Sequence, residues 1–270
     1  VSIASMSLFV LPYPSIDPII FEVGPLAIRW YSLAYIGGLL FAWRFMLRLG
    51  AQTPDVASRE DIDDFLIWAT LGVVLGGRIG YVLFYNFDYY SSNPAAALQI
   101  WRGGMSFHGG VLGVIVSGLI FVKRRGISPL RFADIVACAT PIGLLLGRLA
   151  NFINGELFGR VSDVPWAMVF PNGGPEARHP SQLYEAMLEG AVLFILLAVL
   201  AHRPAIRSRP GMLTGIFLLG YAIARAIVEL FRQPDVHLGV LSAGVTMGQW
   251  LSLPMILGGI FLIVRSRQEG

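Results

Sequence analysis

The chain has 270 residues, 55% of them hydrophobic and 14% charged, and its mean hydropathy is +0.66. Soluble domains carry about 25% charged residues, so this composition excludes an ordinary soluble globule and puts the chain among membrane proteins. Its net charge of +3 comes from basic clusters between apolar runs, with no aromatic-interleaved basic stripe of the kind that grips nucleic acid.

Residues 1–27 read as an N-terminal interfacial arm: Val1 to Phe21 contains no Lys or Arg, so it lacks the charged start of a secretory signal, and Pro12, Pro14 and Pro18 oppose a spanning helix. Seven apolar runs of spanning length follow, at about 28–47, 62–84, 106–122, 131–150, 182–201, 211–231 and 244–264. Twelve of the 20 basic residues fall on one side of this pattern: Arg44, Arg48 and Arg59, then Lys123, Arg124, Arg125 and Arg131, then Arg203, Arg207 and Arg209, then Arg265 and Arg267. By the positive-inside rule that side is cytoplasmic, which puts the N-terminus and the connections after spans two, four and six outside. The connection 151–181 then becomes an extracytoplasmic cap, made irregular by Pro165, Pro171, Gly173, Gly174 and Pro175. Tyr81, Tyr85, Tyr89, Tyr90, Trp101 and Trp166 gather on the same side, as an interfacial belt does. Glycines at 72, 76 and 80, at 109 and 113, and at 143 and 147 have the spacing that lets helices approach closely in lipid. The expected fold is an all-α polytopic membrane protein, one integral domain over 1–270 with seven transmembrane helices, the arm and the cap.

Few polar residues interrupt the apolar runs, and each needs a reason. Arg148 closes the fourth run and shares a helix face with Asn151, while Glu156 lies beyond the helix end. The residues one turn from Arg148 are Leu144, Leu145, Asn151 and Phe152, so its anionic partner must come from another helix or from a ligand. In the sixth run Tyr221, Arg225 and Glu229 form one stripe at i, i+4 and i+8. Both arginines fall toward the outer half of the membrane, where two guanidinium groups make a fork for a phosphate; the alternative is buried ion pairing that only fixes helix packing. His108, amid glycines at the outer start of the third run, is the best-suited general base, or else a packing residue. Tyr31 is a belt aromatic or a head-group donor, and Arg78 a third phosphate contact or a packing partner of the Tyr81 region. A metal site fails on inventory, because Cys138 is the single cysteine and no H-x-x-x-H occurs; a serine hydrolase fails for want of G-x-S-x-G.

Four blocks, in order, carry a resemblance: Ser106-Phe107-His108-Gly109-Gly110, Gly147-Arg148-Leu149-Ala150-Asn151-Phe152-Ile153-Asn154-Gly155-Glu156, His179-Pro180-Ser181-Gln182-Leu183-Tyr184-Glu185-Ala186, and Tyr221-x-x-x-Arg225-x-x-x-Glu229-x-x-Arg232-Gln233-Pro234-Asp235. The chain resembles the bacterial prolipoprotein diacylglyceryl transferases along essentially its whole length. It departs from them in Ser32, where the family usually has glycine, and in Ala226, where it often has phenylalanine. The resemblance implies transfer of the diacylglyceryl group of phosphatidylglycerol to the lipobox cysteine of a prolipoprotein signal peptide in the bacterial inner membrane. No cofactor or metal is implied. It further implies that Arg148 and Arg225 hold the phosphate and that Tyr31, Asn151, Glu156, Tyr221 and Glu229 orient head group or arginines. Arg78 and Gly159 complete the candidate substrate contacts, and His108 is the expected base. The rival from another class is a transporter of an anionic solute, although the inverted repeat such proteins usually carry is not visible.

Overall fold

The computed structural model describes residues 11–24, 26–52, 54–233 and 247–268. Among them seven helices are long and apolar enough to cross a membrane: α1 (Trp30–Gly50), α2 (Arg59–Phe84), α3 (Phe107–Arg125), α4 (Pro129–Ile153), α5 (Ser181–Ala201), α6 (Met212–Glu229) and α7 (Met247–Gln268). The all-α polytopic architecture expected from the apolar runs is therefore present, with ends displaced by a few residues. Residues 1–10 of the expected arm, Pro234 and Asp235 of the last block, and the first residues of the seventh run lie outside the described residues. The chain divides into two compact units, residues 46–132 and residues 1–45 with 133–270.

In the 46–132 unit the helix starts are written in serine. Ser58 and Asp61 close a reciprocal capping box on α2, at 3.1 Å and 3.0 Å, and the Ser106 hydroxyl accepts from Gly109 N at 3.2 Å to open α3. Gly126, with φ 68°, ends α3 in the left-handed conformation a glycine tolerates. Phe65, Phe121 and Phe132 pack together near the basic end of α3, Phe65 edge to face with Phe132 at a centroid distance of 4.8 Å and the other two pairs tilted. The seam between α2 and α3 is made by glycines: a Cβ on Gly113 would run into the Gly72 carbonyl and one on Gly76 into the Gly109 carbonyl. Backbones this close leave no room for a side chain. Gly113→Leu is accordingly expected to cost about 3 kcal/mol, the upper end of the overpacking range, read as a lower unfolding temperature in detergent. Between α2 and α3 the structure adds a short helix, Phe87–Ser92, and two 3₁₀ turns, Pro94–Leu98 and Ile100–Arg102, which the apolar pattern does not announce.

In the other unit the arm turns into an antiparallel hairpin, Ile19–Val23 with Leu26–Arg29, also unforeseen. Before it, the Tyr13 hydroxyl donates to the Phe152 and Ile153 carbonyls at 2.6 and 2.8 Å, satisfying acceptors that the end of α4 leaves open. Asp134 of α4 accepts from Gly211 N, Thr214 N and the Thr214 hydroxyl at 2.7–2.8 Å, capping α6 from a neighbouring helix. The α4 glycines behave differently from expectation. A Cβ on Gly38 of α1 would meet Gly143 Cα at 3.3 Å, whereas a Cβ on Gly143 or on Gly147 would meet nothing within 4 Å, so the close approach here demands a glycine on α1 and not on α4. Within α5 the residues Ala186–Val192 form a π segment, and Gly190 there lies against Leu145 of α4. Residues 154–180, between α4 and α5, are an irregular cap tied by isolated bridges, Val161 to Arg178 and Met168 to Arg178.

Candidate active site

Arg148 comes from the last third of α4, Arg225 and Glu229 from α6, and Arg232 from the turn just after α6; α5 sets Glu185 and Glu189 among them. Glu185 is fully buried and is the hub. Its Oε2 meets Arg148 Nε at 3.2 Å, and its Oε1 meets Arg225 Nη1 at 2.6 Å and Arg232 Nη1 at 2.8 Å. Glu229 pairs with Arg225 Nη2 at 2.8 Å from one turn along the same helix. Glu189 stands farther off, 3.6 Å from Arg148 and 3.8 Å from Arg225. Three guanidinium groups thus face three carboxylates, which is how charges are kept in a low-dielectric interior. The π segment begins immediately after Glu185, and such local widenings of a helix are frequent at functional sites.

A second polar group sits at the other end of the Arg148 block. Asn151 Nδ2 donates to the Tyr31 hydroxyl at 3.0 Å and to Glu156 Oε1 at 2.7 Å, which makes these three residues neighbours. Glu156 is aimed by backbone as much as by side chain. Gly155 and Leu157 flank it with φ of 64° and 57°, and the left-handed region strains a leucine by roughly 1–3 kcal/mol. The turn is held by the Ser181 hydroxyl donating to the Leu157 carbonyl at 3.0 Å and by Gln182 Nε2 donating to the Glu156 carbonyl at 2.6 Å. Beside this turn Trp166 Nε1 donates to the Tyr184 hydroxyl at 2.6 Å, and the ring of His179 packs against Tyr184 and Phe231. Desolvation there holds the His179 imidazole below its ordinary proton affinity.

The remaining candidates fall elsewhere. Gly159 is a crossing of backbones: its N–H donates to the His179 carbonyl at 2.8 Å, it bridges to Arg232, and a side chain would strike the Phe231 carbonyl and His179. That makes its glycine a packing requirement. Tyr221 lies one turn before Arg225, stacked on Phe217 with centroids 6.1 Å apart. In the 46–132 unit His108 occupies the first turn of α3, exposed, with its ring edge to face with Phe107 at 5.6 Å. Arg78 is buried and directs its N–H groups at five backbone carbonyls, so a phosphate would have to displace bonds already made. Among the described residues no group of three or more His, Cys, Asp and Glu side chains is arranged to hold a metal ion.

The sequence model of the prolipoprotein diacylglyceryl transferases matches residues 18–265. The chain belongs to the prolipoprotein diacylglyceryl transferase family. A protein of Azospirillum brasilense named phosphatidylglycerol–prolipoprotein diacylglyceryl transferase is 57% identical over 261 residues, which cover 96% of this chain and 97% of that one. Relatives of the same name from Paramagnetospirillum magneticum and Allorhizobium ampelinum are 57% and 54% identical, over 97% and 98% of this chain and 98% and 95% of their own lengths. The anionic-solute transporter finds no support among these family members. Glu185, Glu189 and Arg232, which the polar positions singled out from the sequence do not include, complete the ion-pair cluster around Arg148 and Arg225. The signal was present: two acids at i and i+4 inside an apolar span are as costly as an arginine and ask for the same explanation.

Proposed function

We propose that this chain carries out the reaction its relatives are named for, moving the diacylglyceryl group of phosphatidylglycerol to a prolipoprotein, and that the acceptor is the lipobox cysteine thiol. Sulfur attacks the glycerol carbon that bears the phosphate, a C–S bond forms, the C–O bond to phosphate breaks, and glycerol phosphate departs with the bonding pair. The thiol proton goes to His108, the best-suited base by chemistry. Negative charge grows on the departing phosphate, and Arg148 and Arg225 stabilise it there. The observation that carries this reading is the gathering of guanidinium groups around Glu185, because positions fixed before the lipid arrives need no reorganisation when charge develops. Tyr31, Asn151 and Glu156 hold the head group's hydroxyls, and Tyr221 and Glu229 brace Arg225.

The family and the seven apolar helices make this a multi-pass protein of the bacterial inner membrane. We place the N-terminus and the cap outside and the C-terminus in the cytoplasm, from the distribution of basic residues. Vesicles of phosphatidylglycerol containing the purified protein and a lipobox peptide test the reaction. The peptide should gain the mass of one diacylglyceryl group less one hydrogen, with glycerol phosphate released in equal amount; a peptide with serine for cysteine should gain nothing. Absence of the mass gain overturns the proposal. His108→Gln should lower kcat by ~10²–10⁴-fold while lipid binding persists, and equal loss of both would make His108 structural.

A further inference from the structure

We infer that Arg78 is a positioning residue for His108, holding the loop that starts α3; the inference rests on the reading of His108 as the base. Arg78 is 5% exposed in α2. Its Nε donates to the Ala97 carbonyl at 2.7 Å, its Nη2 to Ala96 at 2.8 Å and Gln99 at 3.3 Å, and its Nη1 to Gly103 at 2.5 Å and Gly104 at 3.1 Å. A guanidinium has five N–H bonds in one plane, and here five carbonyls meet them. The ring of Tyr90 covers one face, with its centroid 5.1 Å from the guanidinium carbon.

The last two acceptors belong to adjacent glycines. Gly103 and Gly104 both have φ near +80°, and this unusual pair of left-handed residues turns consecutive carbonyls onto one nitrogen. A Cβ on Gly104 would also run into the Tyr81 ring. Two residues later Ser106 N donates to the carbonyl of Gly77, the neighbour of Arg78, at 2.8 Å, and the Ser106 hydroxyl caps Gly109 N. His108 lies between those two anchors. The start of α3 is therefore pinned to one turn of α2 through Arg78 and Gly77, and the His108 ring inherits its place from that clamp.

Lysine in place of Arg78 keeps the charge but has three N–H donors and no planar fork, so it cannot serve five carbonyls. In phosphatidylglycerol vesicles with the lipobox peptide, Arg78→Lys should lower kcat by about 10-fold or more, since small misplacements of a reacting group cost up to ~10²-fold. KM for the lipid should stay within about twofold, because only a step through His108 is disturbed. Added to His108→Gln, Arg78→Lys should cause no further loss, as expected when two changes act through one group. Gly104→Ala disturbs the same loop while leaving the guanidinium intact, and it should show the same kcat loss and the same non-additivity even if Arg78→Lys fails to fold. Multiplicative losses in the double variants overturn the positioning role while leaving His108 as base. A raised KM at unchanged kcat overturns it in favour of direct phosphate contact. Full activity in His108→Gln overturns the base assignment, and this inference with it.

Discussion

Arg225→Lys is expected to lower diacylglyceryl transfer by ~10²–10³-fold while the helices stay folded, the loss typical of removing one preorganised donor from a developing negative charge. Lysine preserves the positive charge that Glu185, Glu189 and Glu229 face, so no buried carboxylate is left without a counter-charge. What it removes is the planar fork, which reaches Glu185 at 2.6 Å with one nitrogen and Glu229 at 2.8 Å with the other. Arg225→Ala also removes the charge and should add about 3–5 kcal/mol of destabilisation. The pair of variants separates scaffold from chemistry: transfer kinetics and thermal unfolding, measured in the same detergent, should both change in the alanine form and only the kinetics in the lysine form. Arg148→Lys should behave alike, since Arg148 meets Glu185 and Glu189 from another helix. Wild-type turnover in either lysine variant removes the phosphate clamp from the mechanism.

What could be read from the chain follows from what lipid forbids. A span needs about 20 apolar residues, so the seven helices were visible as runs, and only their ends, which depend on caps such as Ser58 and Ser106, moved. Arg148 has no acid one turn away on its own helix, and its carboxylate partners come from α5. The identity of the partner stayed hidden because nothing local links Glu185 to Arg148; a π segment and the packing of Gly190 on Leu145 bring them together. The surroundings of Arg78 stayed hidden for a different reason. Its acceptors are backbone carbonyls, which every residue carries, so no side-chain pattern could reveal them. The hairpin at 19–29 and the helix Phe87–Ser92 are too short for periodicity to register against their Pro-, Gly- and aromatic-rich surroundings.

Glu185→Gln tests the hub itself and should be the more damaging to the fold. The change is nearly isosteric, so its effect is electrostatic: three guanidinium groups are left with two carboxylates, and the new amide presents N–H to groups that can only donate. Breaking a buried pair from one side costs about 3–5 kcal/mol, and here one oxygen serves both Arg225 and Arg232. A marked fall in unfolding temperature and loss of transfer are both expected. Glu229→Gln should cost less, because Glu229 pairs with Arg225 from a turn away on the same helix, whereas Glu185 meets Arg148, Arg225 and Arg232. The decisive measurement is the double variant Glu185→Gln with Arg232→Gln, which removes one charge of each sign. If the hub works by charge balance, the double variant unfolds at a higher temperature than Glu185→Gln alone, yet transfer stays low because Arg148 and Arg225 have lost the carboxylate that holds them together. An unfolding temperature unchanged in Glu185→Gln, or a double variant no more stable than the single one, would mean that the carboxylate neither balances nor orients the arginines, and the site would have to be rebuilt around Glu189 and Glu229.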